Sequence, residues 1–240
     1  MLHTYDRLYI GGDWITPSSD RTIEVTSAST EEIIGRVPEA VEADVDAAVG
    51  AARAAFDDPA GWSHWEPARR AEAMERLAVA LEQRAPEMVR RVSAQNGMPV
   101  STAERLEGLF PPLVLRYYAG LAKEAAFEER RPGMFGGTTL VRREPVGVVA
   151  AIVPWNDPQM LATFKYAPAL AAGCTVVVKP SPEAVLDNFL WAEAVAEAGI
   201  PPGVINVVPG GRETGAPLVA HPGVDKVAFT GSTSAGRSVA

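Results

Sequence analysis

From Val146 onward, continuous apolar runs alternate with helical periodicities. Val146–Val153 (VGVVAAIV) is uninterrupted, the pattern of a parallel strand buried on both faces. Pro154-Trp155-Asn156 breaks it. Asp157 is placed to cap a helix and Pro158 to open it. Leu161, Phe164, Ala167 and Leu170 then recur at helical spacing, and Gly173 is placed to end the helix. Cys174–Val178 predicts the next buried strand, closed by Lys179-Pro180. This is a βαβ unit, expected to be right-handed. Ligands of open α/β sheets bind beyond the carboxyl ends of the strands, so Asn156 and Lys179 are expected to face one crevice.

The alternation continues. Ser181 is expected to cap, and Pro182 to open, a helix over Glu183–Ala198, ended by Gly199. Val204–Val208 reads as a third buried strand, Thr214–Ala220 as a short helix and Lys226–Phe229 as a fourth strand. The last strand leads into Thr230–Gly236 (TGSTSAG) and a new helix. A strand, a glycine-rich turn and a helix start present backbone N–H groups to phosphate. The fold class predicted is α/β, a Rossmann-like doubly wound parallel sheet.

The first half reads differently. Leu8–Ile10, Trp14-Ile15 and Thr22–Thr26 predict short strands with turns between them, forming a hairpin that lies on the surface. Val41–Phe56 predicts a helix with Val45, Ala48, Val49, Ala52 and Phe56 on one face. Pro67 opens a second, with Met74, Leu77, Ala78 and Leu81 inward; Pro86 predicts a break near Arg84, and Asn96-Gly97 a stop. Thr102–Ala126 predicts a third helix, interrupted near Pro111-Pro112. Glu128–Pro145 is punctuated by Gly133, Gly136 and Gly137 and predicts a protruding ribbon, either a plain hairpin or an oligomerisation arm. Arg69-Arg70 and Glu128–Arg131 read as solvated charge. The organisation expected is an N-terminal helical layer (residues 1–127), a ribbon (128–145) and a nucleotide-binding sheet (146–240).

Composition narrows the function classes. Hydrophobic residues make up 47% and charged residues 22% of 240, an ordinary globular profile. The net charge of −8 argues against a nucleic-acid partner. No apolar run reaches membrane-spanning length. MLHTYDRLYIGG has no basic stretch followed by an apolar one, so no secretory leader is expected. The single cysteine allows no internal disulfide and suits a reducing cytoplasm. No metal site is expected. A distant alternative is a P-loop nucleotide binder, because Gly231–Ser238 (GSTSAGRS) approaches G-x-x-x-x-G-K-[ST], with Arg237 in the lysine position.

Several segments, in order and at matching separation, resemble the aldehyde dehydrogenase superfamily: Pro154–Asn156 (PWN), Phe164–Pro180, Gly203–Gly211 (GVINVVPGG) and Lys226–Gly236 (KVAFTGSTSAG). YIGGDWI and the helices after it are similar too. The resemblance implies oxidation of an aldehyde to an acid with NAD or NADP: a cysteine attacks the carbonyl, hydride leaves to the nicotinamide, and a glutamate activates water. Asn156 matches the oxyanion-hole amide, and Lys165 a lysine near the catalytic centre. Lys179 matches the lysine on the adenosine ribose. Val153, Pro154 and Trp155, then Ser181, Pro182 and Glu183, match the strand-end loops around the cofactor. Gly211 and Gly215 match close-approach glycines, and Phe229, Thr230, Gly231 and Ser232 the turn against nicotinamide and pyrophosphate.

The resemblance also implies departures. Many NAD-preferring members carry a glutamate at the position of Pro182, so NAD and NADP both stay open. The family's nucleophile and general base lie C-terminal to the GSTxxG turn, beyond Ala240. These 240 residues alone are therefore expected not to turn over, leaving a non-catalytic cofactor-binding subunit or a truncated remnant as alternatives. Cys174, at the start of a buried strand, is read as a small hydrophobe rather than a nucleophile. A homo-oligomer is expected of the full-length protein.

Overall fold

A computed structural model describes residues 2–240. In chain order the elements are strands β1 (His3–Thr4), β2 (Leu8–Ile10), β3 (Asp13–Ile15), β4 (Thr22–Thr26) and β5 (Ile33–Pro38), helix α1 (Glu42–Asp57), a 3₁₀ turn, and α2 (Pro67–Asn96). Then come α3 (Val100–Ala103), a π-helical turn (Glu104–Leu109), α4 (Phe110–Glu124), β6 (Glu128–Pro132) and β7 (Thr138–Arg142). The last part holds β8 (Val148–Ile152), α5 (Pro158–Ala172), β9 (Thr175–Lys179), α6 (Leu186–Glu197), β10 (Ile205–Val207), α7 (Arg212–Ala220), β11 (Lys226–Phe229) and α8 (Thr233–Val239).

The central sheet is parallel throughout, in the order β10-β9-β8-β11. Helices cover both faces, as the unbroken apolar strands require. On one face Val149, Ala151, Val176, Val178 and Val207 pack with Met74 and Leu77 of α2, Leu115 of α4, Tyr166 and Leu170 of α5 and Trp191 of α6. On the other, Val148, Ala150, Ile152 and Val177 meet Val45, Ala48, Val49 and Ala52 of α1 and Leu218 of α7. The predicted inward face of α1 is buried, apart from a half-exposed Phe56. The early helices thus complete the core of the later sheet.

Four sequence expectations are corrected. First, β2 and β3 do form an antiparallel hairpin, but Leu8, Tyr9 and Ile10 are buried in the core, not on the surface. Second, α2 runs unbroken through Pro86. The missing N–H leaves the Glu82 carbonyl unbonded at a cost of about 3 kcal/mol. Buried side chains on both sides of the proline outweigh this: Met74, Leu77, Ala78 and Leu81 before it, Met88, Val89 and Val92 after it. Third, α6 begins at Leu186, not Glu183. Ser181 bonds the Glu183 carboxylate instead of capping, and the cap comes from Gln95, whose Oε1 accepts the Val185 and Leu186 N–H groups at 2.8 and 2.6 Å. Fourth, Arg70 is not a solvated charge. It is buried, donating to the carbonyls of Trp65 and Ala171, and burial lowers its pKa.

Other expectations hold. Gly97, Gly173 and Gly199 adopt positive φ at helix ends. The interruption near Pro111-Pro112 takes the form of the π-helical turn, because neither proline can donate to the carbonyls of Glu107 and Gly108. β6 and β7 pair only with each other, as an exposed ribbon.

Candidate active site

Because the four central strands run parallel and in register, their carboxyl ends open on one edge. Four loops meet there. Main-chain bonds tie them: Val153 N–H to the Lys179 carbonyl (3.0 Å), Val208 N–H to that of Val178 (2.9 Å), and Thr230 N–H to that of Ile152 (3.3 Å). This edge holds Asn156, Lys179, Gly211 and the Phe229–Ser232 turn.

Lys179 ends β9 and is only 6% exposed. Its Nζ donates to the carbonyls of Pro180 (2.9 Å) and Gly210, bridging the loops after β9 and β10. An ammonium has three donors, and these two bonds leave one over. Burial lowers its pKa to about 8, with the Glu183 carboxylate pulling the other way. Gly215 lies beside its stem: a Cβ there would sit 3.4 Å from Lys179 Cδ. Gly211 opens α7, and Ser181, Pro182 and Glu183 form the turn after Lys179, with Glu183 exposed.

Lys165 comes from α5 and is 8% exposed, so it is no surface helix lysine. Its Nζ donates to the Leu161 carbonyl (3.0 Å) and to Thr230 Oγ1 (2.6 Å), again with one donor to spare. No carboxylate offsets its burial, which lowers its pKa to about 8. Phe229 ends β11, and its ring lies over the following turn. A Cβ at Gly231 would fall 2.5 Å from the Phe229 Cζ, so a larger residue there would displace the ring. Ser232 Oγ accepts the Ala235 N–H and caps the next turn.

Asn156 is exposed on the loop between β8 and α5. Its amide Nδ2 donates to Asp157 Oδ2 at 2.6 Å, not to its own backbone, which uses one of the two amide N–H groups. Asp157 occupies the N-cap position but makes no side-chain cap bond, contrary to expectation. Glu107 takes that role from the π-helical turn, its Oε2 accepting the Gln159 N–H at 2.7 Å. Val153 is buried at the strand end, Pro154 half-buried, and Trp155 exposed. The structure thus brings Asn156, Lys165, Lys179 and Thr230 to one edge.

The sequence reading missed Gln95, Asn96 and Glu107. Each bonds a partner more than fifty residues away in the chain. Gln95-Asn96 carried only the signal of a helix stop. Glu107 stood among other charges with none.

Comparison with known proteins gives the family. The sequence model of the aldehyde dehydrogenase family matches residues 14–240. The chain belongs to the aldehyde dehydrogenase family. A geranial dehydrogenase of Castellaniella defragrans is 55% identical over all of this chain and 50% of its own length. A peroxisomal aminoaldehyde dehydrogenase 2 of Pisum sativum is 40% identical over 97% of this chain and 47% of its own. Among solved structures, a Mycobacterium tuberculosis aldehyde dehydrogenase complexed with NAD+ superimposes with a TM-score of 0.95 at 44% identity, covering 100% of this chain and 49% of that one. An aldehyde dehydrogenase C mutant of Pseudomonas syringae, complexed with NAD+ and octanal, gives 0.92 at 40%, covering 98% and 47%. The chain spans about half the length of the curated relatives it matches. This membership replaces the P-loop alternative, and Arg237 lies exposed on α8. No helix of the described residues is long and apolar enough to cross a membrane.

Proposed function

We propose that this chain supplies the coenzyme site and the oxyanion amide for NAD(P)-dependent oxidation of an aldehyde to a carboxylic acid. The observation that carries the reading is the convergence of Asn156, Lys165 and Lys179 on one sheet edge, with two buried ammonium groups each keeping a free donor. A ribose hydroxyl suits the third proton of Lys179. The bare backbone at Gly211 and Gly215 leaves room for close approach beside it. Trp155, Thr230 and Ser232 border the same edge. The bound coenzyme would accept hydride from the aldehyde carbon.

Asn156 then acts on the aldehyde itself. Its free amide N–H donates to the carbonyl oxygen as that oxygen gains negative charge, and such a preset donor lowers the barrier by about 2.7–4 kcal/mol. Turnover is not expected of these residues by themselves, because the single cysteine, Cys174, is buried under the sheet and away from this edge. The exposed ribbon of β6 and β7, with Met134 and Phe135 bare at its tip, is read as an arm that docks on a second copy of the chain. The unpaired thiol fits a reducing compartment such as the cytoplasm.

Titration of the chain with NAD+ and NADP+, followed by tryptophan fluorescence or calorimetry, tests the coenzyme part. Saturable binding of at least one is expected. Absence of binding of both would overturn it.

A further inference from the structure

Two successive main-chain carbonyls, those of Trp155 and Asn156, turn toward one side-chain nitrogen. Asn96 Nδ2 donates to them at 3.0 and 2.9 Å. Asn96 is itself held. Its Oδ1 accepts the Met98 N–H at 3.0 Å, and Ser93 Oγ donates to the Met98 carbonyl at 2.8 Å. The next residue, Gly97, sits at φ 77° and donates its N–H to the Ser93 carbonyl at 3.1 Å. This left-handed cap turns the chain so that the Asn96 amide points off the end of α2. Among the described residues no other side chain bonds a main-chain group of Trp155 or Asn156.

The consequence is geometric. Fixing both carbonyls fixes the peptide planes on either side of the Asn156 Cα, and with them the direction of its Cα–Cβ bond. Only the side-chain torsions remain free, and the bond to Asp157 Oδ2 sets those. We propose that Asn96 is a positioning residue for Asn156: it clamps the loop so that the Asn156 amide meets the aldehyde oxygen. The proposal rests on reading Asn156 as the oxyanion donor.

The clamp lies near the surface, where two hydrogen bonds to backbone add little to stability. Its loss should therefore show in reactivity and in the Asn156 amide rather than in unfolding. Two substitutions probe it. Asn96→Ala removes the donor. Asn96→Asp keeps the shape and the acceptor for Met98 but sets an oxygen against the two carbonyls.

The first measurement is the side-chain amide resonance of Asn156 in the 240-residue chain, assigned by its loss in Asn156→Ala. Both Asn96 variants should shift it and speed hydrogen exchange at Trp155 and Asn156. An unchanged resonance and unchanged exchange would overturn the clamp. The second measurement is aldehyde oxidation by the protein as its native cell makes it. Asn156→Ala should lower kcat about 10²- to 10³-fold, and Asn96→Ala about 10- to 100-fold, with the KM for coenzyme unmoved. The double variant should be no slower than Asn156→Ala, because Asn96 acts through Asn156. Multiplying losses, or full kcat in Asn96→Ala beside a slow Asn156→Ala, would overturn the proposal alone. Full kcat in Asn156→Ala would overturn the oxyanion reading, and with it the catalytic meaning of the clamp.

Discussion

Lys165 Nζ lies 2.6 Å from Thr230 Oγ1, a bond that joins helix α5 to the turn after β11 at the carboxyl edge of the central sheet. The ammonium is 8% exposed and meets only neutral oxygens, that hydroxyl and the Leu161 carbonyl. Neutral acceptors satisfy its hydrogens without balancing its charge, so burial drives its pKa down from 10.5 to about 8.

That shift sets a pH dependence with a definite sign. Below about pH 8 the lysine is charged in both folded and unfolded chains, and the burial penalty is fully present. Between about 8 and 10.5 the unfolded chain holds the proton and the folded chain does not, so stability rises with pH. Lys179 contributes with the same sign. Comparing urea midpoints of wild type and Lys165→Met at pH 7 and pH 10 isolates the first lysine. Wild type should gain on the variant at the higher pH. A pH-independent difference would rule out a depressed Lys165.

Lys179 bridges two loops and keeps one donor free, so its loss should be felt first by the coenzyme. A hydrogen bond from a charged group is worth about 1.5–3 kcal/mol. Lys179→Ala should therefore weaken NAD(P) binding roughly 10- to 100-fold, as read by calorimetry on the folded variant. Affinity within twofold of wild type would remove Lys179 from the site.

The central βαβ units were legible in the sequence because their signals are local. The VVAAI and TVVVK strands bury both faces, Pro158 opens a helix, and Gly173 closes it at φ 93°. The βα-edge placement of Asn156 and Lys179 follows from the same pattern. What failed was decided elsewhere in the chain. Pro86 is carried through α2 by packing on either side, and α6 starts where Gln95 supplies a cap from a residue some ninety positions earlier. The exchange of roles between Asp157 and Glu107 is equally non-local: a carboxyl group from the π-helical turn caps α5 and frees Asp157 to hold the Asn156 amide.

Glu107 should give a pH effect opposite to that of the lysines. Burial, helped by Asp187 and Asp157 and resisted by the Gln159 N–H, raises its pKa from 4.5 to about 8. The folded chain keeps the proton over that interval and the unfolded chain loses it, so stability falls as pH rises from about 4.5 to 8. Glu107→Gln retains an acceptor for the Gln159 N–H and carries no charge. It should gain on wild type between pH 5 and pH 8 in urea unfolding. A residual fall below about pH 6 is expected from Asp187, which burial also raises. Parallel curves for the two proteins would contradict a protonated Glu107.

Cys174 should behave as a packed apolar atom. It is 2% exposed and faces Val176, Leu170 and their neighbours in the core. A thiol reagent should label it far more slowly in the folded chain than in urea. Cys174→Ala should cost about 1 kcal/mol and leave coenzyme binding intact. Rapid labelling of the folded chain would overturn this assignment.

Gln95 offers the severest test of how the helical layer supports the site. The residue is 5% exposed and spends its whole amide on other elements. Its Oε1 takes the Val185 and Leu186 N–H groups, and its Nε2 donates to Asp187 Oδ1 at 2.9 Å. Asp187 also accepts from Gln159 and Asn188, so its carboxylate is held entirely by amides, with no cation in contact. Removing Gln95 leaves two buried N–H groups unpaired and a buried carboxylate short of a donor, each costing about 1–3 kcal/mol. Gln95→Ala should therefore destabilise the chain by about 3–5 kcal/mol, measured by urea unfolding at pH 7. Gln95→Glu keeps the acceptor but sets a second carboxylate against Asp187. It should lose stability as pH rises, because both acids must ionise together. If Gln95→Ala unfolds within 1 kcal/mol of wild type, the cap on α6 is not the one described, and the Lys179 loop it follows must be held by its main-chain bonds alone.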